Sequence, residues 1–208
     1  MSAEGVEIRV GASEEHRAAA AALYLRALHE KLAPFLGRGE RGEILLRESL
    51  SLDRLIVAVR DGRLLGLAGF SHEGRGAFAP TLSGMWRVFG WSGGLRLLGL
   101  ALLERSKSSE TLVMDGLAVM ENARGQGIGS LLLDAVEAQA RALGKSSVRL
   151  DVIDTNPRAR RLYERRGWRA ARTEKLGVFG WLFPFSEATE MRKGVDAKSG
   201  ANLNAKIN

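Results

Sequence analysis

The chain has 208 residues, of which 45% are hydrophobic and 26% are charged, and it contains no cysteine. This composition is that of a globular domain and excludes a fibrous repeat, while the lack of cysteine excludes disulfides, thiolate zinc sites and an acyl-cysteine intermediate. The formal net charge of +7 is compatible with three kinds of partner: nucleic acid, a membrane surface or an anionic small ligand.

The beginning of the chain predicts one strand followed by two helices. Residues 6–10 alternate in hydropathy as a short strand does, and Ser13 is a good cap for an alanine-rich helix to about residue 32. Pro34 and Gly37 are expected to end that helix, because proline cannot continue a helix without losing a hydrogen bond and glycine commonly follows the last helical residue. A second helix is predicted over residues 40–50.

A hairpin and a long connection follow. The Asp61-Gly62 turn between apolar residues 55–59 and 64–70 predicts two antiparallel strands. Residues 71–83 are rich in Gly, Ser and Pro and are expected to form a loop, whereas residues 85–103 are apolar and predict an inserted helix. The two tryptophans of this stretch make it a candidate interface between two copies of the chain, as in a homodimer.

From residue 111 the pattern becomes regular and predicts the core of a single domain over residues 1–195. The expected elements are a strand at 112–120, a helix at 127–143, a strand at 147–153, a helix at 157–166 and last strands at 168–176 and 188–193. Residues 71–110 form an extended link before the fourth strand. The polar tail at 196–208 is expected to be disordered.

A glycine-rich turn stands between the strand at 112–120 and the helix after it. Glycines at a helix start let the unpaired amides of the first turn approach an anion. The P-loop is excluded because no lysine follows the glycines, and the dinucleotide fingerprint is excluded because Gly125, Gly127 and Gly129 are each two residues apart. What remains is the pattern [Q/R]-x-x-G-x-[G/A], filled by Arg124, Gly127 and Gly129.

A second segment extends this pattern. Asn156 follows the next strand, in the run Asn-Pro-Arg-Ala-Arg-Arg-Leu-Tyr-Glu-Arg-Arg-Gly-Trp, and is predicted to cap the helix that begins at Pro157. Tyr163 lies seven residues later, on the stripe of that helix that is predicted to face inward. On these two segments the chain resembles the GCN5-related N-acetyltransferase (GNAT) family over roughly residues 6–194. The resemblance implies an α/β (α+β) fold with a mixed, mostly antiparallel sheet flanked by helices. It also implies direct acetyl transfer from acetyl-CoA to a primary amine of a small molecule or protein.

The resemblance further implies roles for individual residues. Tyr163 would protonate the leaving CoA thiolate, and its alternative role is core packing. Asp115 is the candidate general base, since it lies four residues before Val119 and is expected on the same strand face as Leu117 and Val119; Glu121 or a water relay is the reserve. The residues expected to hold the cofactor are Leu117, Ala118, Val119, Arg124, Gly125, Gln126, Gly127, Ile128, Gly129, Ser130, Asn156 and Arg160.

Other classes of protein compete with this interpretation. Gly90-Trp91-Ser92-Gly93-Gly94 matches a serine-hydrolase motif, but all three histidines precede Ser92, whereas that fold places its histidine after the serine. The arginines at 158–172 keep a nucleic-acid-binding protein as a rival, although no nucleic acid is expected, and a non-catalytic acyl-CoA-sensing module is a further alternative. No signal peptide, membrane span or metal motif is found, so a cytoplasmic protein without a metal is expected.

Overall fold

The computed structural model describes residues 4–37, 39–94, 96–97, 109–177 and 183–195. Within these ranges the strands are β1 (Glu7–Val10), β2 (Leu55–Arg60), β3 (Arg63–Ser71), β4 (Thr111–Val119), β5 (Ser147–Ile153), β6 (Arg169–Lys175) and β7 (Glu187–Gly194). The α-helices are α1 (Arg17–Leu36), α2 (Glu40–Ser49), α3 (Leu82–Phe89), α4 (Ile128–Ala142) and α5 (Pro157–Arg165).

The strands form one mixed sheet in the order β1-β2-β3-β4-β5-β7-β6. The β4–β5 pair is parallel and the other neighbouring pairs are antiparallel. This arrangement confirms the predicted fold class, a mostly antiparallel sheet flanked by helices. Each face of the sheet is covered because both have apolar side chains to remove from water.

The two faces bury separate apolar clusters. On one face the stripe of α4 that contains Ile128, Leu132 and Val136 packs on the strands, as its helical periodicity predicts. On the other face α1 and α2 bury side chains such as Tyr24 and Leu45 against β2 and β3. The sheet is therefore the central layer of the fold, with a layer of helices on either face.

The sheet opens between β4 and β5. These strands pair over residues 111–113 and 147–149, after which β4 continues beside β3 to Val119 and β5 continues beside β7 to Ile153. Because parallel strands point the same way, their carboxyl ends diverge at one edge of the sheet. The chain enters α4 after β4 and α5 after β5, so two helix N-termini lie at this opening.

A bulge in β4 lies at the same opening. Gly69 of β3 pairs with Gly116, but the next residue, Phe70, pairs with Met114, so that Asp115 is one residue extra. An extra residue reverses which side chains face which side of the sheet beyond that point.

Two details differ from the sequence predictions. Pro34 does not end α1, which continues to Leu36 because Leu32 and Leu36 are buried against the other elements of their cluster, and Gly37, with a φ angle of 72°, follows the last helical residue. Helix α3 begins at Leu82 inside the predicted loop, since the Thr81 hydroxyl caps it by accepting from the Gly84 amide at 3.1 Å. Residues 98–103 of the predicted inserted helix and the tail at 196–208 lie outside the described residues.

One predicted surface residue is buried. The periodicity of α4 places Glu137 on its polar face, yet the residue is 8% exposed. Its carboxylate accepts a hydrogen bond from the Lys193 ammonium of β7 at 2.7 Å. This ion pair compensates the cost of burying the Glu137 charge.

Candidate active site

The glycine turn builds a helix start with exposed amides. Gly125 and Gly127 have φ angles of 79° and 84°, a left-handed conformation that glycine adopts without strain. Gly127 is the N-cap of α4, so no side chain caps the first turn. A Cβ on Gly129 would lie 3.1 Å from the Leu162 side chain, which shows how closely this helix start approaches α5. The Ser130 amide donates to the Gly127 carbonyl at 2.9 Å, so the amides of Ile128 and Gly129 before it are the ones available to an anion.

A cavity of about 490 Å³ adjoins these amides, and it is called the glycine-turn cavity below. Its wall contains residues of the turn, the end of β4 and the start of α5. Four arginines line it, and no acidic side chain does so among the described residues. The predicted cofactor residues that it brings together are Leu117, Ala118, Val119, Arg124, Gly125, Gly127, Ile128, Gly129, Ser130 and Asn156.

A second cavity, of about 660 Å³, lies on the α1 side of the opening and is called the α1 cavity. Its walls come from α1, α2, β4, β5 and the start of α5. The residues that line both cavities are Arg26, Ala27, Leu117, Arg124, Asn156, Ala159 and Tyr163. The cavities therefore adjoin each other where β4 and β5 separate, and the two together are called the passage.

Tyr163 lies where the two cavities meet. Its side chain is only 6% exposed and its ring packs against Trp168 with 6.1 Å between the ring centroids. Burial raises the pKa of the Tyr163 hydroxyl to about 12. The phenol therefore stays protonated at every pH at which proteins normally work, and it can donate a hydrogen bond into the passage.

Asp115 occupies the opposite side of the sheet from the one predicted. The Leu117 and Val119 side chains point towards the glycine turn, whereas the bulge turns Asp115 towards α1. Its carboxylate accepts from the Ser71 hydroxyl at 2.7 Å and from the Ala77 amide at 3.1 Å. The prediction that Asp115 shares a strand face with Leu117 and Val119 is wrong, because the bulge at Asp115 interrupts the alternation of side chains between the two faces of β4. Asp115 nevertheless lines the α1 cavity.

The surroundings of Asp115 are tightly packed. A Cβ on Gly76 would lie 2.7 Å from the Ser71 hydroxyl and 2.9 Å from the Asp115 carboxylate. The pKa of Tyr24 is well above its ordinary value, first because the phenol is buried and second because the Asp115 charge disfavours a phenolate. The connection after β3 thus fixes this carboxylate against α1.

The remaining predicted residues have different surroundings. Asn156 caps α5 by accepting from the Ala159 amide at 3.1 Å, as its sequence position predicts. The Arg160 guanidinium donates to Glu164 at 2.9 Å, and neither Arg160 nor Gln126 lines the glycine-turn cavity. Glu121 is exposed and lines neither cavity.

Several lining residues were not foreseen. Arg158 and Arg165, rather than Arg160, face the glycine-turn cavity, because positions 158 and 165 lie two turns apart on α5. Arg26 and His29 reach the passage from α1, and their spacing of three residues on one helix face is the only sequence signal for them.

The serine of the hydrolase-like motif and one of the histidines have structural contacts with neighbouring residues. The Ser92 hydroxyl donates to the Phe89 carbonyl at 2.9 Å, which ties it to its own helix end. His16 is buried between the Ser13 hydroxyl and the Gly62 carbonyl. Within the described ranges no cluster of histidines and carboxylates could hold a metal ion, and no helix is long and apolar enough to cross a membrane.

A split sheet with a helix start open to an anion, a cationic cavity and a buried tyrosine can hold a ligand that carries phosphate groups. The chain belongs to the acetyltransferase (GNAT) family, whose model matches residues 24–168. That range includes the glycine turn, Asn156 and Tyr163, so the family named from the sequence is confirmed. No curated protein matches the chain significantly in sequence.

Solved structures agree with this fold. The yncA structure from Salmonella typhimurium, which contains its cofactor acetyl-CoA, is 19% identical with a TM-score of 0.61 and covers 94% of this chain and 97% of its own. A GCN5-related N-acetyltransferase from Kribbella flavida is 16% identical with a TM-score of 0.60, covering 93% and 99%. The ribosomal-protein-S18-alanine N-acetyltransferase from Escherichia coli is 16% identical with a TM-score of 0.54, covering 95% and 98%.

Proposed function

We propose that the protein transfers an acetyl group from acetyl-CoA directly to a primary amine of a small molecule or protein. The observation that carries this proposal is the meeting of the two cavities at Tyr163. A thioester entering from the glycine turn and an amine entering from the α1 side would meet there. The acetyl-CoA held by the yncA structure, a protein of similar fold, supports the choice of donor.

The charges of the glycine-turn cavity suit the donor. In this proposal the pyrophosphate of CoA accepts hydrogen bonds from the first amides of α4, where the helix dipole also favours negative charge. Arg124 lies beside the turn, and Arg158 and Arg165 approach the same cavity from α5. The pantetheine arm then runs along Leu117 and Val119 towards Tyr163.

The chemistry is a nucleophilic substitution at the thioester carbon. The neutral amine nitrogen attacks the carbonyl carbon, the carbon–sulfur bond breaks, and the nitrogen releases one proton, so the products are an amide, the CoA thiolate and a proton that passes to the solvent. An amine of pKa ~10 is neutral in only about one molecule in a thousand at pH 7, so a proton acceptor is required. Asp115 takes this role, directly or through a water, because its carboxylate lines the α1 cavity, from which the amine enters in this proposal. Glu121 stays the second candidate.

Tyr163 acts on the leaving sulfur. A phenol of pKa about 12 is a weaker acid than a thiol of pKa ~8.5, so complete proton transfer to the thiolate would be unfavourable by roughly 5 kcal/mol. The hydroxyl instead donates a hydrogen bond as negative charge develops on sulfur. This role needs only the protonated phenol, which burial guarantees.

The test is an assay of CoA thiol release with a panel of primary amines, with mass spectrometry of the products. The expected result is amine-dependent release and an acetylated amine, with turnover reduced in Asp115→Asn and acetyl-CoA binding kept. If the protein binds acetyl-CoA but no amine or protein substrate releases the thiol, a non-catalytic sensing module replaces this proposal.

A further inference from the structure

The two cavities differ in the sign of their charge. The glycine-turn cavity has four arginines and no acidic residue among its described lining residues. Among its described lining residues the α1 cavity has four carboxylates against three cations, in a chain whose formal net charge is +7. Two of the three cations, Arg26 and Arg124, also line the glycine-turn cavity, where Arg124 would face the CoA phosphates. The acceptor side is thus negative within a basic protein.

The carboxylates come from four different elements and are spread around the wall. They are Glu30 of α1, Glu43 of α2, Asp115 of β4 and Asp151 of β5. Within the described part of the chain no three such groups are close enough to hold a metal ion, so this is not a compact acidic cluster. Carboxylates spread around a cavity wall favour an elongated molecule with separated positive charges over a single metal ion.

Two of these carboxylates accept hydrogen bonds from neutral groups. Glu30 accepts from the Thr155 hydroxyl, and Asp115 accepts from the Ser71 hydroxyl and the Ala77 amide. Lys31 donates to the Asp151 carbonyl oxygen at 2.9 Å, so its ammonium lies beside β5. Glu43 is exposed on α2, whereas Asp115 is half-buried on β4, and both line the cavity.

We infer that the acceptor carries a second positive charge besides the amine that is acetylated, as in a linear diamine or a basic peptide end. This inference rests on the proposed function. The reacting amine lies near Asp115 and Tyr163, and the second ammonium lies near Glu43. A cavity of about 660 Å³ has room for such a chain beside the acetyl group.

The experiment compares three amines of equal chain length: butane-1,4-diamine, butylamine and 4-aminobutanoate. The expected order of kcat/KM is diamine, then butylamine, then 4-aminobutanoate, with the first two differing by roughly tenfold, as several weak ion pairs together provide. Raising the salt concentration reduces this preference because exposed charges are screened.

Two variants of α2 locate the second ammonium. Glu43→Gln is expected to reduce the ratio of diamine to butylamine kcat/KM roughly threefold, the effect of one exposed ion pair. Glu40→Gln is the matched control, because Glu40 is exposed on the same helix but does not line the cavity, and its ratio should equal that of the native protein.

The outcomes separate this inference from the proposed function. If kcat/KM for butylamine or 4-aminobutanoate equals or exceeds that for the diamine, the inference of a second positive charge on the acceptor is wrong. The proposal of acetyl transfer is unaffected by that result. A diamine preference that is equal in Glu43→Gln and in the control overturns the assignment to Glu43. Absence of thiol release with every amine overturns the inference together with the proposed function.

Discussion

Replacing Tyr163 by phenylalanine removes one oxygen at the point where the two cavities meet and leaves the ring in place. The hydroxyl is expected to hydrogen-bond the sulfur only as charge develops there. A hydrogen bond to a charged group contributes about 1.5–3 kcal/mol, which corresponds to a roughly 10- to 100-fold lower kcat. The KM for acetyl-CoA should change little, because the interaction belongs to the transition state.

The pH dependence distinguishes this role from others. Because the pKa of Tyr163 is raised to about 12, the hydroxyl is protonated throughout pH 6–10, and the ratio of native to Tyr163→Phe kcat should be constant over that range. The assay is steady-state thiol release at each pH, with acetyl-CoA binding and thermal unfolding measured on both proteins. Packing of the ring against Trp168 is kept, so the free energy of unfolding should change by less than about 1 kcal/mol.

Three results would refute this reasoning. A kcat ratio that rises steeply between pH 7 and 9 would mean that the phenolate is the active form, and a ratio that falls there would mean that the phenol loses its proton far below pH 12. An unchanged kcat would remove Tyr163 from the reaction and leave it as a core residue.

Three further substitutions have expected outcomes. Asn156→Ala should lower the free energy of unfolding in denaturant titrations by about 1 kcal/mol, since α5 loses its cap; an unchanged midpoint would contradict this role. Gly76→Ala should lower kcat because its Cβ would lie 2.9 Å from the Asp115 carboxylate and displace it. A kcat equal to that of the native protein would show that the position of this carboxylate is not critical. Lys193→Met should destabilise the fold by about 2 kcal/mol by leaving Glu137 unpaired, and the double variant with Glu137→Met should recover stability; equal stability of both variants would exclude the ion pair as the cause.

The features that the sequence predicts well are local ones. The glycine turn, the Asn156 cap and the inward-facing Tyr163 each depend on spacing within one strand or helix, and the structure has all three. The parallel β4–β5 pair follows from the strand-helix-strand order, so the place of the cavity could be expected as well.

What the sequence does not predict depends on distant partners. The face occupied by Asp115 is set by a bulge, which arises from pairing with β3 and has no signature in β4 itself. Glu137 is buried because Lys193, 56 residues away, reaches it. The choice of Arg158 and Arg165 over Arg160 depends on how α5 is rotated against the glycine turn, which a charge count along the helix does not show.

The central claim, that the glycine turn holds acetyl-CoA, is tested most directly by calorimetric titration with acetyl-CoA of the native protein and two glycine variants. Gly127 and Gly144 both have positive φ angles, of 84° and 67°, and an added Cβ meets nothing within 4 Å at either position. Gly127→Glu and Gly144→Glu therefore carry the same backbone strain, but only Gly127 lines the cavity. We expect one-to-one binding by the native protein and by Gly144→Glu, and loss of binding by Gly127→Glu. A folded native protein that does not bind acetyl-CoA, or a Gly127→Glu protein that binds it as tightly, would contradict the claim.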